Sequence, residues 1–61
     1  MRYRVLRYES FRDINHAQWD IMEFFESEEE AQLRFNETDA PSGWEVSLID
    51  METGTLMGFK P

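Results

Sequence analysis

The chain contains no cysteine and one histidine, so neither a disulfide nor a conventional zinc site can hold it together. With 61 residues it is also short, and domains below about 70–80 residues rarely gain more than about 3–5 kcal/mol from a single core. Bulky side chains, or association with another chain, must supply the stability that a small core lacks. Two tryptophans, two tyrosines and five phenylalanines can do so, because each aromatic buries on the order of 150–250 Å². We expect one small domain over residues 1–61, and a homodimer would enlarge its core.

Alternating apolar and polar residues predict several β-strands. Residues 2–9 carry apolar side chains on both faces, which indicates an interior strand. The clearest signal is a hairpin, in which Trp44, Val46 and Leu48 alternate with other residues and a turn over 50–54 leads into a strand over 55–59. Gly54 stands where that turn needs a positive φ. We expect Trp44, which opens this amphipathic strand, in the core.

Residues 17–26 can be interpreted as a strand or as a helix. A strand over 18–25 places Trp19 and Phe25 on one face and Phe24 on the other, where it is exposed or covered by a partner. The following Ser-Glu-Glu-Glu, residues 27–30, has the pattern of a capping box and predicts a helix over 28–38. We therefore expect an α+β fold, a small antiparallel sheet of order ββαββ with one helix packed on one face. The alternative is βαββ with one long helix over about 16–36.

Acidic residues cluster in the middle of the chain. The formal charge is −7, and residues 20–30 contain six acidic and no basic residues. Such a cluster attracts a basic partner and can imitate the phosphates of a nucleic acid, although a charged segment is also typical of a solvated helix start. The residues that we predict to bind a partner are these six acids with two aromatic anchors: Asp20, Glu23, Glu26, Glu28, Glu29, Glu30, Trp19 and Phe24.

The sequence supports a nucleic-acid or metal site less well than a protein-binding surface. Four arginines near the N-terminus are interleaved with aromatic residues, an arrangement that can stack on single-stranded nucleic acid; they are Arg2, Arg4, Arg7 and Arg12. The net negative charge opposes phosphate binding, so we do not expect it. Asp13, His16 and Asp20 have a spacing that could hold a metal on a helix. A lone histidine in a loop is the simpler interpretation, and we expect no metal site.

Enzymatic chemistry also lacks its usual residues. The chain has no cysteine nucleophile and no glycine-rich phosphate loop, and its only lysine is Lys60. We expect a protein that is not an enzyme and needs no cofactor. No signal peptide or membrane span is evident, so we expect a soluble, cytoplasmic protein.

The main functional hypothesis is therefore a small acidic protein-binding module. It would act stoichiometrically as an inhibitor or adaptor on a partner with a basic surface, with DNA mimicry as its sharper form. Inhibitors of this size and charge are plausible in phages and mobile elements, which is an analogy only. The alternative, from another class, is a structural homo-oligomer that uses exposed aromatics and a sheet edge.

Overall fold

Four strands and one helix make up residues 1–10 and 18–61, the part of the chain that the computed structural model describes. In chain order they are β1 (Tyr3–Glu9), β2 (Trp19–Phe25), α1 (Glu28–Glu37), β3 (Trp44–Asp50) and β4 (Thr55–Lys60). The predicted α+β fold of order ββαββ is confirmed. The alternative with one long helix is wrong, because residues 19–25 pair with β1 as a strand.

The strands form one antiparallel sheet in the order β2-β1-β3-β4. Strand β1 is thus interior, as its apolar residues on both faces predicted, while β2 and β4 are the edges. Val5 of β1 lies opposite Glu23 of β2 and Leu48 of β3. Because Val5 and Leu48 are fully buried under the helix layer, the odd-numbered residues of β1 face α1. Its even-numbered residues face the opposite side of the sheet.

Helix α1 begins where the sequence predicted, after Ser27. The Ser27 hydroxyl accepts a hydrogen bond from the backbone N–H of Glu30 at 3.3 Å, which satisfies a donor left free at the helix start. Ala31 and Phe35, one turn apart, are buried against the sheet. Within the described residues, no helix is long and apolar enough to cross a membrane.

The core is small, and one glycine lets the helix approach the sheet. Its buried apolar residues are Tyr3, Val5, Ala31, Phe35, Val46 and Leu48. A methyl group added at Gly58 of β4 would lie only 2.9 Å from two ring carbons of Phe35, so this position has no room for a side chain. Trp44, which we expected in the core, is instead half-buried and outside it, with the Arg7 guanidinium 5.9 Å from its ring centroid.

The end of β4 holds the C-terminal end of α1. The ammonium of Lys60 donates hydrogen bonds to the backbone carbonyls of Phe35 at 2.6 Å, Asn36 at 3.2 Å and Thr38 at 2.9 Å. It also lies 4.7 Å from the centroid of the Phe35 ring. A cation here pairs with carbonyls at the C-terminal end of the helix and with the negative end of the helix dipole.

Candidate functional site

The six predicted acidic residues, here called the acidic cluster, lie on neighbouring elements. Asp20 and Glu23 belong to the edge strand β2, Glu26 to the turn after it, and the other three to the first turn of α1. The cluster therefore extends along the helix layer: Arg7 binds both Asp20 and the carbonyl of Asp39, past the C-terminal end of α1, whereas three of the glutamates form the first turn of the helix. Its members differ, however, in whether their charge is compensated.

Asp20 is compensated by an arginine of the neighbouring strand. Arg7 donates from Nε to Oδ1 at 3.0 Å and from Nη2 to Oδ2 at 2.8 Å, and its Nη1 reaches the carbonyl of Asp39 at 3.1 Å. The register of β1 and β2 shifts between Arg7 and Tyr8, leaving Asp20 without a strand partner opposite it. The hydrogen bonds from Arg7 lower the pKa of Asp20. The Asp20 carboxylate is therefore held in an ion pair with Arg7 and is not a free charge.

Glu23 is compensated from the helix. Arg34 donates from Nε to Oε1 of Glu23 at 2.6 Å, and both side chains are partly exposed. This pair links α1 to β2 across the same face of the sheet that carries the core. Glu23 therefore adds more to the attachment of the helix than to the outward charge of the cluster.

The remaining four glutamates form a smaller exposed set at the turn between β2 and α1. All four are exposed, and none belongs to an ion pair formed between residues that the structure describes; they are Glu26, Glu28, Glu29 and Glu30. Three of them also stabilise the helix locally, since they stand at the positive end of its dipole. Beside them, a shallow depression of about 560 Å³ contains the exposed Leu33.

The two predicted aromatic anchors lie on a different surface. Phe24 is opposite Arg4, and Trp19 is opposite Tyr8, so both belong with the even-numbered side of β1, away from the helix. The prediction that Trp19 shares a face with Phe25 is wrong, because the register shift between Arg7 and Tyr8 interrupts the alternation of β2. We call this side of the sheet the open face. It contains a shallow apolar depression of about 410 Å³, which is lined by Arg4, Leu6, Tyr8, Gln18, Trp19, Ser47, Ile49, Leu56 and Phe59. The predicted site residues therefore divide between two surfaces instead of forming one.

The open face exposes several large apolar side chains. Trp19 is 57% exposed, Leu56 56%, Phe59 46% and Phe24 43%. No helix or strand of the described part of the chain packs on this side of the sheet. A contiguous apolar patch of this kind is typical of an interaction surface.

Two ionisable side chains of the open face differ in how well they are satisfied. The Nε atom of Arg4 is buried and has no hydrogen-bond partner within residues 1–10 and 18–61. Burial raises the pKa of Tyr8, and the carboxylate of Glu45, its cross-strand neighbour on β3, raises it further. The open face thus has the Glu45 carboxylate beside Tyr8 at one end and the Arg4 guanidinium at the other.

Two of the four arginines proposed for nucleic-acid binding are engaged within the chain. Arg2 donates two hydrogen bonds to Asp50, at 2.8 and 3.1 Å, and Arg7 binds Asp20 as described above. The pKa of Arg2 is raised because Asp50 stabilises its charged form. Arg12 lies outside the described residues, and so do Asp13 and His16 of the metal hypothesis. Within residues 1–10 and 18–61, no group of acidic or histidine side chains could hold a metal ion.

The site residues predicted from the sequence omit several residues of the open face, although the sequence carries a signal for them. Leu6 and Tyr8 share one parity of β1, and Leu56 and Phe59 are large apolar residues of the predicted strand over 55–59. Because β1 is interior, its two apolar faces mean two apolar faces of the sheet, and one helix can cover only one of them.

Comparisons with protein-family models, curated proteins and solved structures found no match to this chain.

Proposed function

We propose that this chain is a small acidic protein-binding module that acts stoichiometrically, as an inhibitor or adaptor, on a partner with a basic surface. The observation that carries the proposal is the exposed set of four glutamates at the turn between β2 and α1. Their charges have no counterpart among the described ion pairs, whereas Asp20 and Glu23 each bind an arginine. The partner-binding surface is therefore centred on Glu26, Glu28, Glu29 and Glu30.

The distribution of the cations supports this assignment. Arg2, Arg7 and Arg34 bind acids of their own chain, and Lys60 binds backbone carbonyls of α1. Four of the six positive charges are thus used for contacts within the chain, while the four glutamates of the turn belong to no ion pair between described residues. An uncompensated field of one sign accelerates association with a partner of the opposite sign.

A nucleic-acid-like mode of binding is the finer form of the proposal. Four carboxylates on a short turn and one helical turn offer a row of negative charges to the surface that would otherwise bind phosphates. The exposed Leu33 lies next to two of these glutamates and adds an apolar contact. Such a module competes with nucleic acid for one basic surface, and its affinity falls as salt rises.

Charge reversal at the turn tests the location of the surface. The probe is a fluorescent arginine-rich peptide, followed by anisotropy at several salt concentrations. We expect E26K/E28K/E29K to weaken binding by about tenfold or more at low salt and to flatten the salt dependence. Glu30 is left unchanged so that the first turn of α1 keeps one acidic side chain at the positive end of the helix dipole.

A matched variant separates location from net charge. Glu37, Asp39 and Glu52 are exposed and lie away from the turn, so E37K/D39K/E52K changes the charge by the same amount. We expect this control to weaken binding much less. Equal losses in the two triple variants, or unchanged affinity in the first, would contradict the proposal. For the finer form, the wild-type chain should displace double-stranded DNA from a basic, non-specific DNA-binding protein, and the turn variant should not.

A further inference from the structure

The sheet has a helix on one side only. Stable small folds bury the apolar side of each layer against another layer, and α1 packs across β1, β2 and β3 from one side. On the open face, Trp19, Phe24, Leu56 and Phe59 keep roughly half of their surface in contact with solvent. The described part of the chain therefore lacks the layer that would cover this face.

The charge of the open face determines which kind of partner can pack on it. By strand register, its charged side chains among the described residues are Arg4 and Glu45, one of each sign. The face is thus neutral, although the chain as a whole carries −7. A basic partner gains little here, since the acidic turn between β2 and α1 lies elsewhere. A second copy of the same neutral face meets no net repulsion at the contact.

The positions of these two charges are self-complementary under two-fold symmetry. Arg4 lies near one end of β1, and Glu45 lies beside Tyr8, four residues further along the strand. A two-fold axis in the plane of contact, perpendicular to the strands and passing near Leu6, places Arg4 of each copy over Tyr8 of the other. Glu45 is then one strand spacing to the side, about 4.8 Å, within reach of an arginine side chain.

This arrangement also gives Arg4 a carboxylate partner. Its Nε is buried within one copy and has no hydrogen-bond partner among the described residues, so a second copy would bind the guanidinium through its terminal Nη groups. A carboxylate from a second copy is the strongest acceptor available for a guanidinium. Two identical pairs would form, one at each end of the interface.

The area of the face is sufficient for a specific contact. Four strands about 4.8 Å apart, each about seven residues long at about 3.3 Å per residue, cover about 19 by 23 Å. Two such faces in contact remove on the order of 1,000 Å² of accessible surface, the lower end for a specific interface. We propose that the chain forms a symmetric homodimer in which the two open faces pack together and Arg4 of each copy pairs with Glu45 of the other. The helices, and with them both acidic turns, then lie on the outside.

Sedimentation velocity over a range of concentrations tests the interface. We expect the wild-type chain to dimerise and L56E to weaken dimerisation by about a hundredfold or more, because a charge is buried in each copy without a partner. F59E is the second variant, and circular dichroism verifies that both remain folded. L33E is the matched control: Leu33 is 60% exposed, but it lies on α1, so this variant should dimerise like the wild type. A wild-type monomer at high micromolar concentration, or a dimer equally sensitive to L33E and L56E, would overturn the proposal.

A charge exchange tests the crossed pairs. R4E places two acids at the contact, and E45R places two arginines there, so neither variant should dimerise alone at concentrations where the wild type does. Mixed together, they restore both pairs in a heterodimer, which native mass spectrometry detects by mass. Both variants remain net negative, so overall charge does not favour their mixing. Homodimers of R4E as tight as the wild type, or no heterodimer in the mixture, would refute the crossed pairing.

Discussion

Asp50 is the acidic side chain most closely integrated into the fold. It is buried at the end of β3, where its carboxylate accepts two hydrogen bonds from Arg2 and one from the backbone N–H of Glu52 at 3.0 Å. These bonds stabilise the charged form and hold the pKa of Asp50 below its ordinary value of 3.8. The pair joins the residue before β1 to the last residue of β3, so it fixes the register of these two neighbouring strands.

The lowered pKa of Asp50 makes its contribution depend on pH in a definite direction. A carboxyl group whose pKa is depressed by folding stabilises the fold above its unfolded pKa and loses that effect as the pH falls through the folded value. We expect D50N to unfold at a lower urea concentration than the wild type at pH 7, and the difference to shrink as the pH falls below 3.8. E52Q is the control, because Glu52 contacts the same arginine only at 3.5 Å and is largely exposed. A difference for D50N that is the same at pH 7 and pH 3 would contradict this assignment.

At the scale of elements, α1 depends on its ends because it buries few side chains. Ala31 and Phe35 alone are buried among its ten residues, so capping is a large part of what fixes it. We expect K60M, which keeps most of the aliphatic stem, to lower the free energy of unfolding by about 1–2 kcal/mol through the loss of hydrogen bonds to the helix C-terminus. K60R keeps the charge and should recover part of that loss. The check is urea unfolding followed by helical circular dichroism, and a K60M variant as stable as the wild type would contradict it.

The elements themselves were predictable because their signals are local. The cap at Ser27 distinguished a strand followed by a helix from one long helix, and alternation defined the hairpin of β3 and β4. The observed bounds differ from the predicted ones by a residue or so at each end. The role of Lys60 could not be predicted, since nothing in the sequence around it indicates that β4 ends beside the helix C-terminus.

The candidate sites were predictable only in part, because they depend on strand order. The sequence shows an acidic segment and an arginine-rich segment, but their contact arises because β1 lies next to β2 in a particular register. That register puts Arg7 beside Asp20, which removes one charge from the predicted surface. In the same way, Trp19 and Phe24 were predicted to be anchors beside the acidic cluster, but their separation from it follows from which side of the sheet the helix covers.

At the scale of the whole molecule, charge and apolar surface are segregated onto opposite sides. The helix side carries the ion pairs and the exposed glutamates, and the open face carries the apolar side chains with balanced charge. Such segregation allows two contacts at once: a partner at the acidic turn and a second copy on the open face. A dimer would then present two acidic turns, and a partner with two basic sites would bind it more tightly than a monomer.

Dimerisation through the open face also makes thermal stability depend on concentration. A chain that is folded only or mainly as a dimer gains stability by mass action, so its Tm rises with protein concentration. We expect the Tm of the wild type to increase by several degrees over a hundredfold range of concentration, since shifts of about 4–8 °C per kcal/mol are usual for domains of this size. L56E should have a lower Tm that is independent of concentration, while L33E should follow the wild type. Differential scanning calorimetry measures all three, and a wild-type Tm that does not change with concentration would show that the open face adds nothing to stability through self-association.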